Sequence, residues 1–437
     1  MKAQPRVFAT LGPGDVVATR RAAGVKLGAE GLTSIPYSEQ FVAYCRERKI
    51  QALGISANVR RDILADQIVT LENCPKLLEG TSGVAFHVSQ LIYAAYLCWR
   101  AVLFRADYAI IDSGTTHYFL LLTFRLFGIR VIANLHNVLW PRGFPPKRLT
   151  ARVIAFLDRL FFTYGASAAI GVSPECERQV AAVSRGRIPF FQYRCQFRED
   201  GFIEASPYNG GVFRLCFSGR AKRYKGLLDL VEIAISLRQL NVTPFIIEVC
   251  GDGPALDELQ ALIAKRGVAD SFVLHGALSR NELLNVYARS HAMIVPTRSN
   301  FCEGVPAVCA EAALARLPVI ASDATNSLDV IGEASIQVPT DEVDGFVKAI
   351  VQMFNSPRYY FSLRNHCAAV AHQFLDRNLS MPAAIDRALN AIAGQEVLTD
   401  YSALFNEGPP ARFRPSVGLI RSDQPSVGSG CSPLGHT

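Results

Sequence analysis

Two glutamates, Glu303 and Glu311, stand eight residues apart in a segment that begins Glu303-Gly304-Val305-Pro306. Pro306 suits the first turn of a helix, because the N–H that proline lacks would have no partner there. The free backbone N–H groups at the N-terminus of this helix, together with the positive end of the helix dipole, would form a binding site for a diphosphate. In a fully helical segment the two carboxylates would lie about 12 Å apart, too far to share a proton. The spacing fits two carboxylates that bind hydroxyl groups at opposite ends of an extended ligand. The alternative is a helix that has a favourable N-terminal sequence and one exposed glutamate, with no ligand bound.

A basic loop is the second candidate. The segment from Gly219 to Gly226 follows a predicted strand and contains Arg220 and Lys225. Fixed cations at this place could stabilise the negative charge that develops on a diphosphate leaving group, without a metal ion. The alternative is a solvated basic loop, which is our interpretation for the neighbouring Lys222 and Arg223.

Two glycine-containing turns also follow predicted strands. Gly251-Asp252-Gly253-Pro254 allows a ligand to approach the backbone closely, but a plain strand-to-helix turn is equally consistent with it. The turn Gly12-Pro13-Gly14 follows the first strand and matches only part of a dinucleotide-binding fingerprint, because the third glycine is missing. It too is either a ligand loop or a simple turn.

His136 ends the predicted strand over residues 130–135 and begins a loop. At the carboxyl end of a strand that faces a cleft, an imidazole could hydrogen-bond to a sugar. A histidine without a ligand is the equally weighted alternative.

The elements that position these residues alternate between short apolar runs and amphipathic stretches, which is typical of parallel α/β sheets. The pattern predicts an α/β protein with two Rossmann-like domains that face each other across a cleft. We place the first domain at residues 1–190, a linker at 191–211, and the second domain with its terminal helices at 212–394. Residues 408–437 are rich in Pro, Ser and Gly and are predicted to be disordered.

Charge is distributed unevenly along the 437 residues. Residues 1–200 contain 25 Lys+Arg and 15 Asp+Glu, whereas the remainder contains 20 and 23. A basic first half favours an anionic partner, either a membrane surface or an anionic acceptor, and no motif for nucleic-acid binding accompanies it. The eleven cysteines form no CxxC pair, the N-terminus lacks the apolar core of a signal peptide, and no apolar stretch is long enough to span a membrane. We therefore expect a cytoplasmic protein, peripheral at the inner face of the plasma membrane if its acceptor is there.

Taken together, the motifs over about residues 215–347 resemble the retaining glycosyltransferases of family 4, which have the GT-B fold of two Rossmann-like domains. The resemblance is carried by Gly219-Arg220…Lys225-Gly226, by Gly251-Asp252-Gly253-Pro254, by His275-Gly276, and by Glu303 with seven residues before Glu311. In the first half it is thinner. Gly12-Pro13-Gly14 stands where many members have two adjacent glycines.

The resemblance implies a role for each motif. Arg220 and Lys225 would hold the donor diphosphate, Glu303 would contact the transferred hexose, and Glu311 would bind the ribose hydroxyls. His136 stands where the family usually has a sugar-contacting histidine. The remaining donor contacts would come from the first-domain loop, from the segment after Glu303, and from the base-binding edge: Gly14, Gly304, Val305, Pro306, Gly251, Gly276 and Leu278.

The function implied is retaining transfer of a hexosyl unit from a nucleotide-diphosphate sugar to a glycan or lipid-linked acceptor, in surface polysaccharide biosynthesis. No cofactor and no metal are expected. The alternatives are a GT-B sugar-nucleotide epimerase or hydrolase, and a catalytically silent scaffold. The sequence does not identify the base, the hexose, the acceptor or the oligomeric state.

Overall fold

A computed structural model of the chain describes residues 5–23, 33–78, 80–199 and 201–394. Residues 408–437, predicted to be disordered, lie outside these ranges. The described residues form two mainly parallel sheets, each with its own hydrophobic core. The α/β class predicted from the sequence is confirmed.

The first sheet has eight strands: β1 Arg6–Thr10, β2 Gln51–Ser56, β3 Asp62–Ala65, β4 Val69–Asn73, β5 Tyr108–Asp112, β6 Arg130–Leu135, β7 Ala166–Gly171 and β8 Phe190–Gln192. Their spatial order is β3-β4-β2-β1-β5-β6-β7-β8, and only the edge strand β3 is antiparallel to its neighbour. The central strands are buried along nearly their whole length, as expected for parallel strands with helices on both faces.

The second sheet has six strands: β9 Phe213–Ser218, β10 Phe245–Cys250, β11 Phe272–Gly276, β12 Ala292–Val295, β13 Val319–Ser322 and β14 Ser335–Val338. Their order is β11-β10-β9-β12-β13-β14, and every pairing is parallel. Numbered within this domain, the order is 3-2-1-4-5-6, that of dinucleotide-binding Rossmann sheets.

Helices connect the strands of both sheets. Those that precede β8 are α1 Val16–Ala23, α2 Tyr37–Glu47, α3 Gly83–Leu103, α4 Leu122–Leu126, α5 Leu149–Tyr164 and α6 Pro174–Ser184. Those that follow β9 are α7 Asp229–Gln239, α8 Leu256–Arg266, α9 Arg280–Arg289, α10 Ala307–Leu314, α11 Leu328–Ile331, α12 Val343–Asn355, α13 Pro357–Ala371 and α14 Met381–Ile392.

The last helix, α14, corrects the predicted domain division. The sequence assigned residues 381–392 to the second domain, whereas α14 packs on β7, β8 and α2 of the first. Its apolar side chains Met381, Ile385 and Leu389 belong to the first core, and Asp386 accepts hydrogen bonds from Tyr44 of α2 and from Arg48, which directly follows α2. The amphipathic pattern of α14 shows that one face must be covered, but it does not show which sheet covers it.

The predicted linker also differs at its start. Residues 190–192 form β8, which extends the first sheet beyond β7. The chain then runs beside the segment that leads into α14, where the Arg194 N–H donates to the Leu379 carbonyl and the Phe197 N–H donates to the Phe374 carbonyl. The two domains are therefore joined by two neighbouring segments.

Candidate active site

The candidate site lies where the strand order of the second sheet reverses. The chain runs outward from β9 to β10 and β11 on one side, then returns to β12 on the other. The loops after β9 and β12 diverge at this point, and open α/β sheets bind ligands in the resulting crevice. The basic loop over residues 219–226 follows β9, and the segment that leads to Glu303 follows β12.

Lys225 and Glu303 meet in this crevice. The Lys225 ammonium forms an ion pair with Oε2 of Glu303, and both side chains are largely buried. The Thr297 hydroxyl donates to the same oxygen across 3.5 Å. The structure thus joins two residues 78 positions apart that the sequence had placed in different motifs.

Asn326, which the sequence analysis did not single out, fixes the segment around Glu303. Its amide nitrogen donates to the Glu303 carbonyl across 2.8 Å and to the Gly304 carbonyl across 3.1 Å. Asn326 is buried and has φ of 54°, in the left-handed region that Asn tolerates better than most residues. Its place after β13 was the available signal, because the carboxyl ends of parallel strands share one edge of the sheet.

Two aromatic rings hold the basic loop against the segment before Glu303. Tyr224 and Phe301 stack with their ring centroids 4.3 Å apart and their planes at 9°. The Lys225 ammonium lies 4.9 Å from the centre of the Phe301 ring. Arg220, by contrast, is exposed, and no hydrogen bond or ion pair of its guanidinium is found among the described residues. The structure therefore brings Lys225, but not Arg220, into contact with Glu303.

The predicted glycine turn after β10 is needed for backbone packing. A Cβ atom on Gly251 would lie 1.8 Å from the Gly219 carbonyl oxygen, and one on Gly253 would lie 2.6 Å from that of Ala221. The Gly251 N–H donates to the Gly276 carbonyl across 2.8 Å. Gly251 and Gly276 thus hold the loops after β9, β10 and β11 together at the edge of the crevice.

Glu311 is buried on α10, and both its carboxylate oxygens are occupied. The Tyr287 hydroxyl donates to Oε2 across 2.5 Å, and the Thr33 hydroxyl of the first domain donates to Oε1. Burial raises the pKa of the Glu311 carboxyl, although the hydrogen bonds from Thr33 and Tyr287 act in the opposite direction. The predicted ribose contact would therefore have to replace or share these hydroxyl partners.

His136 lies beside the site, but first-domain residues hold its ring. Nδ1 is 2.9 Å from the Tyr193 hydroxyl, and Nε2 is 3.2 Å from the Asn134 amide nitrogen and 3.3 Å from the Asp112 carboxylate. The Tyr37 ring lies 4.7 Å away, centroid to centroid. The imidazole was predicted to face a sugar, and in the structure both its nitrogens already face protein groups.

The two domains touch at Gly304. A Cβ atom there would lie 2.1 Å from the His136 carbonyl oxygen and 2.6 Å from a methyl group of Val172. Nearby, Asp329 of α11 forms ion pairs with Arg142 and Arg178 of the first domain. Glycine at 304 is therefore required for this closed arrangement.

The other predicted donor contacts differ in burial. Pro306 directly precedes α10 and caps it, Val305 is partly buried, and Leu278 packs on the core of the second domain. Gly14 is exposed in the first-domain loop, and its carbonyl accepts a hydrogen bond from Ser56. The donor contacts of these residues stay predictions.

Neither a metal-binding cluster nor a membrane span emerges from the described ranges. No group of three His, Cys, Asp or Glu side chains there could hold a metal ion. No helix among the same residues is long and apolar enough to cross a bilayer.

Comparison with known proteins agrees with this geometry. Residues 200–373 match the family model of the glycosyl transferases, group 1. The resemblance to glycosyltransferases is thereby confirmed. The match covers the later part of the linker and most of the second domain, including every second-domain residue of the candidate site. Assignment to the retaining family 4 stays a prediction.

A curated relative matches a stretch of similar length. It is the alpha-D-kanosaminyltransferase of Streptomyces kanamyceticus, 28% identical over 174 residues. The alignment spans 39% of this chain and 43% of the relative. The chain thus matches less than half the length of this relative.

Solved structures extend the likeness to both domains. Sucrose-phosphate synthase from Thermosynechococcus elongatus superposes with a TM-score of 0.65 at 14% identity, over 89% of this chain and 97% of its own. Anabaena HepE in complex with UDP gives a TM-score of 0.59 at 15% identity, over 90% of this chain and 100% of its own. The fold is GT-B, as the sequence predicted.

Proposed function

We propose that this chain is a retaining glycosyltransferase that moves a hexosyl unit from a nucleotide-diphosphate sugar to a glycan or lipid-linked acceptor. The observation that carries the proposal is the Lys225–Glu303 pair in the crevice of a Rossmann sheet, within the segment that matches the group 1 family. The similar fold of HepE, which was solved with UDP, supports a nucleoside diphosphate as the leaving group.

Each residue then has a distinct task. Lys225 binds a diphosphate oxygen while it keeps its contact with Glu303, since an ammonium has three donors. Arg220, exposed and without a fixed partner among the described residues, turns to the same diphosphate. Their charge stabilises the departing nucleoside diphosphate without a metal ion. Glu303 accepts hydrogen bonds from hexose hydroxyls, and Glu311 accepts them from the ribose.

Retention is the outcome that the resemblance to family 4 implies, and both carboxylates of the segment that begins at Glu303 are held by protein partners. Glu303 is engaged by Lys225 and Thr297, and the other carboxylate of the segment, Glu311, is held by Tyr287 and Thr33. The acceptor hydroxyl would attack from the face that the diphosphate leaves. The carbon–oxygen bond to the diphosphate breaks, the bond to the acceptor oxygen forms, and the departing diphosphate takes the hydroxyl proton.

The setting we propose is surface polysaccharide biosynthesis, in the cytoplasm at the inner face of the plasma membrane. The excess of Lys and Arg in residues 1–200 supports this setting, because it would attract an anionic, lipid-linked acceptor at that membrane surface.

The proposal is tested by nucleotide release. UDP-, GDP- and ADP-hexoses are incubated with the protein, with and without glycan and lipid acceptor fractions and with and without EDTA. We expect release from one donor that depends on the acceptor and survives EDTA. Release without any acceptor would indicate a hydrolase, and isomerisation of the donor would indicate an epimerase. Loss of activity in EDTA that manganese restores would contradict the metal-free mechanism.

A further inference from the structure

The first domain exposes an apolar stripe along α3. Val84, Leu91, Trp99 and Leu103 are 79%, 55%, 56% and 61% exposed. Their spacing places them on one side of the helix, which is about 31 Å long. Because the opposite side supplies buried core residues such as Leu97, α3 has two apolar sides, and only one of them is covered by the described residues.

Helices α4 and α5 extend this surface. Leu149, Val153 and Phe156 of α5 repeat at intervals of four and three residues and are all exposed, and Leu126 of α4 is 82% exposed. A groove of about 480 Å³ between α3 and α5 is lined by Leu91, Leu149 and Val153. We call the outward side chains of α3, α4 and α5 the apolar face. The groove joins the exposed apolar side chains of α3 and α5, and a cluster of this kind marks an interaction surface more often than singly scattered apolar residues do.

The part of the chain that carries the apolar face is predominantly basic. Residues 80–164, up to the end of α5, contain nine Lys+Arg and three Asp+Glu, and of the three acids only Asp158 lies on α5, where its carboxylate accepts a hydrogen bond from the Phe119 N–H. Arg152 is exposed on α5, and Lys147 and Arg148 immediately precede this helix. An apolar helix side bordered by Lys and Arg is the arrangement that interfacial helices use on anionic membranes.

We propose that the apolar face docks on an anionic phospholipid bilayer, with α3 and α5 lying along its surface. Aromatic and aliphatic side chains such as Trp99 and Phe156 would enter the interface, while Arg148 and Arg152 contact lipid phosphates. A second copy of the chain is a poorer occupant, because a two-fold interface would bring the same positive surfaces together.

The orientation serves the candidate site. α3 and α5 follow β4 and β6, so both begin at the carboxyl edge of the first sheet, which borders the cleft. A bilayer on the apolar face would therefore lie beside the cleft opening. That a lipid-linked acceptor enters from this edge rests on the proposed function, whereas docking itself does not.

Vesicle flotation tests the docking without donor or acceptor, so its outcome is independent of transfer activity. The full chain is mixed with vesicles of phosphatidylcholine alone or with phosphatidylglycerol, at low and high salt. We expect flotation with the anionic vesicles that decreases with salt. Leu126→Ser with Phe156→Ser, and separately Arg148→Glu with Arg152→Glu, should each weaken partitioning by about tenfold.

Matched variants on the second domain serve as controls. Leu240→Ser with Phe361→Ser changes two exposed apolar residues there, and Arg358→Glu reverses an exposed charge. These should float like the wild type, and circular dichroism should show that all variants are folded. In a Trp140→Phe background, Trp99 is the sole indole, and its emission should shift to the blue with anionic vesicles.

The proposal is overturned if the wild type does not float under any condition, or if the first-domain variants float like the controls. In another outcome, the wild type fails to bind vesicles and instead forms a dimer that the Leu126→Ser, Phe156→Ser double substitution abolishes. That result would show that the apolar face binds a second copy of the chain.

Discussion

At the residue scale, the site consists of charged groups that, apart from the exposed Arg220, already have protein partners among the described residues. Lys225 pairs with Glu303, and Glu311 is held by Tyr287 and Thr33. A ligand must therefore join or replace these contacts. Lys225 can add a phosphate oxygen without losing Glu303, whereas Glu311 must exchange hydroxyl partners for those of a ribose. This difference predicts separate effects for the two glutamates.

Substitution of the glutamates separates binding from turnover. Glu303→Gln should lower kcat by about 100-fold with little change in nucleotide affinity, because its partner in the reaction is the hexose. Glu311→Gln should instead weaken nucleotide binding by about tenfold. Steady-state kinetics and nucleotide titration measure the two effects, with the exposed Glu342→Gln as a control. Identical behaviour of the two variants would show that the roles are not divided in this way.

Asn326 should act through the position of Glu303. Asn326→Asp keeps the size of the side chain but replaces the amide that donates to two carbonyls, at Glu303 and Gly304, with an acceptor. We expect Asn326→Asp to lower kcat by about tenfold. Asn326→Ala should lower kcat less, because it places no carboxylate against the two carbonyl oxygens. A circular dichroism melt establishes that both variants fold. Kinetics unchanged by Asn326→Asp would remove Asn326 from the positioning of the site.

At the element scale, β10 and β11 are joined by a charged cluster below the site. Glu248 of β10 is buried and accepts hydrogen bonds from Arg289 and Arg214 and lies 2.8 Å from a ring nitrogen of His275. Burial alone would raise the pKa of this carboxyl, but Arg289, His275 and Arg214 together lower it to about 2. His275, noted in the sequence next to Gly276, thus supports the sheet.

The lowered pKa of Glu248 predicts how stability depends on pH. Its contribution is fully present above the ordinary pKa of 4.5 and is lost as the pH falls toward about 2. Glu248→Gln should cost about 2 kcal/mol at pH 7, since the partly exposed arginines are screened by solvent. Urea unfolding at pH 7 and at pH 3 measures this difference. An equal loss at both pH values would mean that the charge of Glu248 is not the cause.

The elements also show how far the sequence predicts the fold. Continuous apolar runs predicted the central strands, for example the predicted strand over residues 130–135, which is β6 with the same bounds. No strand was predicted for β3, β4, β8 or β14, and β3 and β14 are short and half exposed, so their pattern resembles that of a loop. Contacts between distant segments, such as Thr33 with Glu311 or α14 with β7, leave no local pattern and had to come from the structure.

At the scale of the whole molecule, the closed cleft depends on a few contacts between the domains. Gly304 packs on the His136 carbonyl, and Asp329 bridges Arg142 and Arg178. Both contacts lie beside the residues proposed to bind the donor. Closure would therefore assemble the first-domain and second-domain parts of the site, in the manner of enzymes that close around their substrates.

Opening the cleft should cost activity without unfolding either domain. A methyl group at 304 would meet the His136 carbonyl at 2.1 Å, so Gly304→Ala should force the domains apart there. We expect a larger radius of gyration in small-angle X-ray scattering and about 10² lower kcat. Asp329→Ala should have a smaller effect in the same direction, and Glu342→Ala none. A Gly304→Ala protein with unchanged scattering and activity would show that this contact does not control closure.

Calorimetric titration with UDP, GDP and ADP tests the central claim, that the crevice between the loops after β9 and β12 binds a nucleoside diphosphate. We expect the wild type to bind one of the three at a single site. Lys225→Ala should weaken that binding by about tenfold, while Lys265→Ala, which removes an exposed lysine of the same domain, should leave it unchanged. Failure of all three nucleotides to bind the wild type, or equal binding by the two lysine variants, would contradict the account.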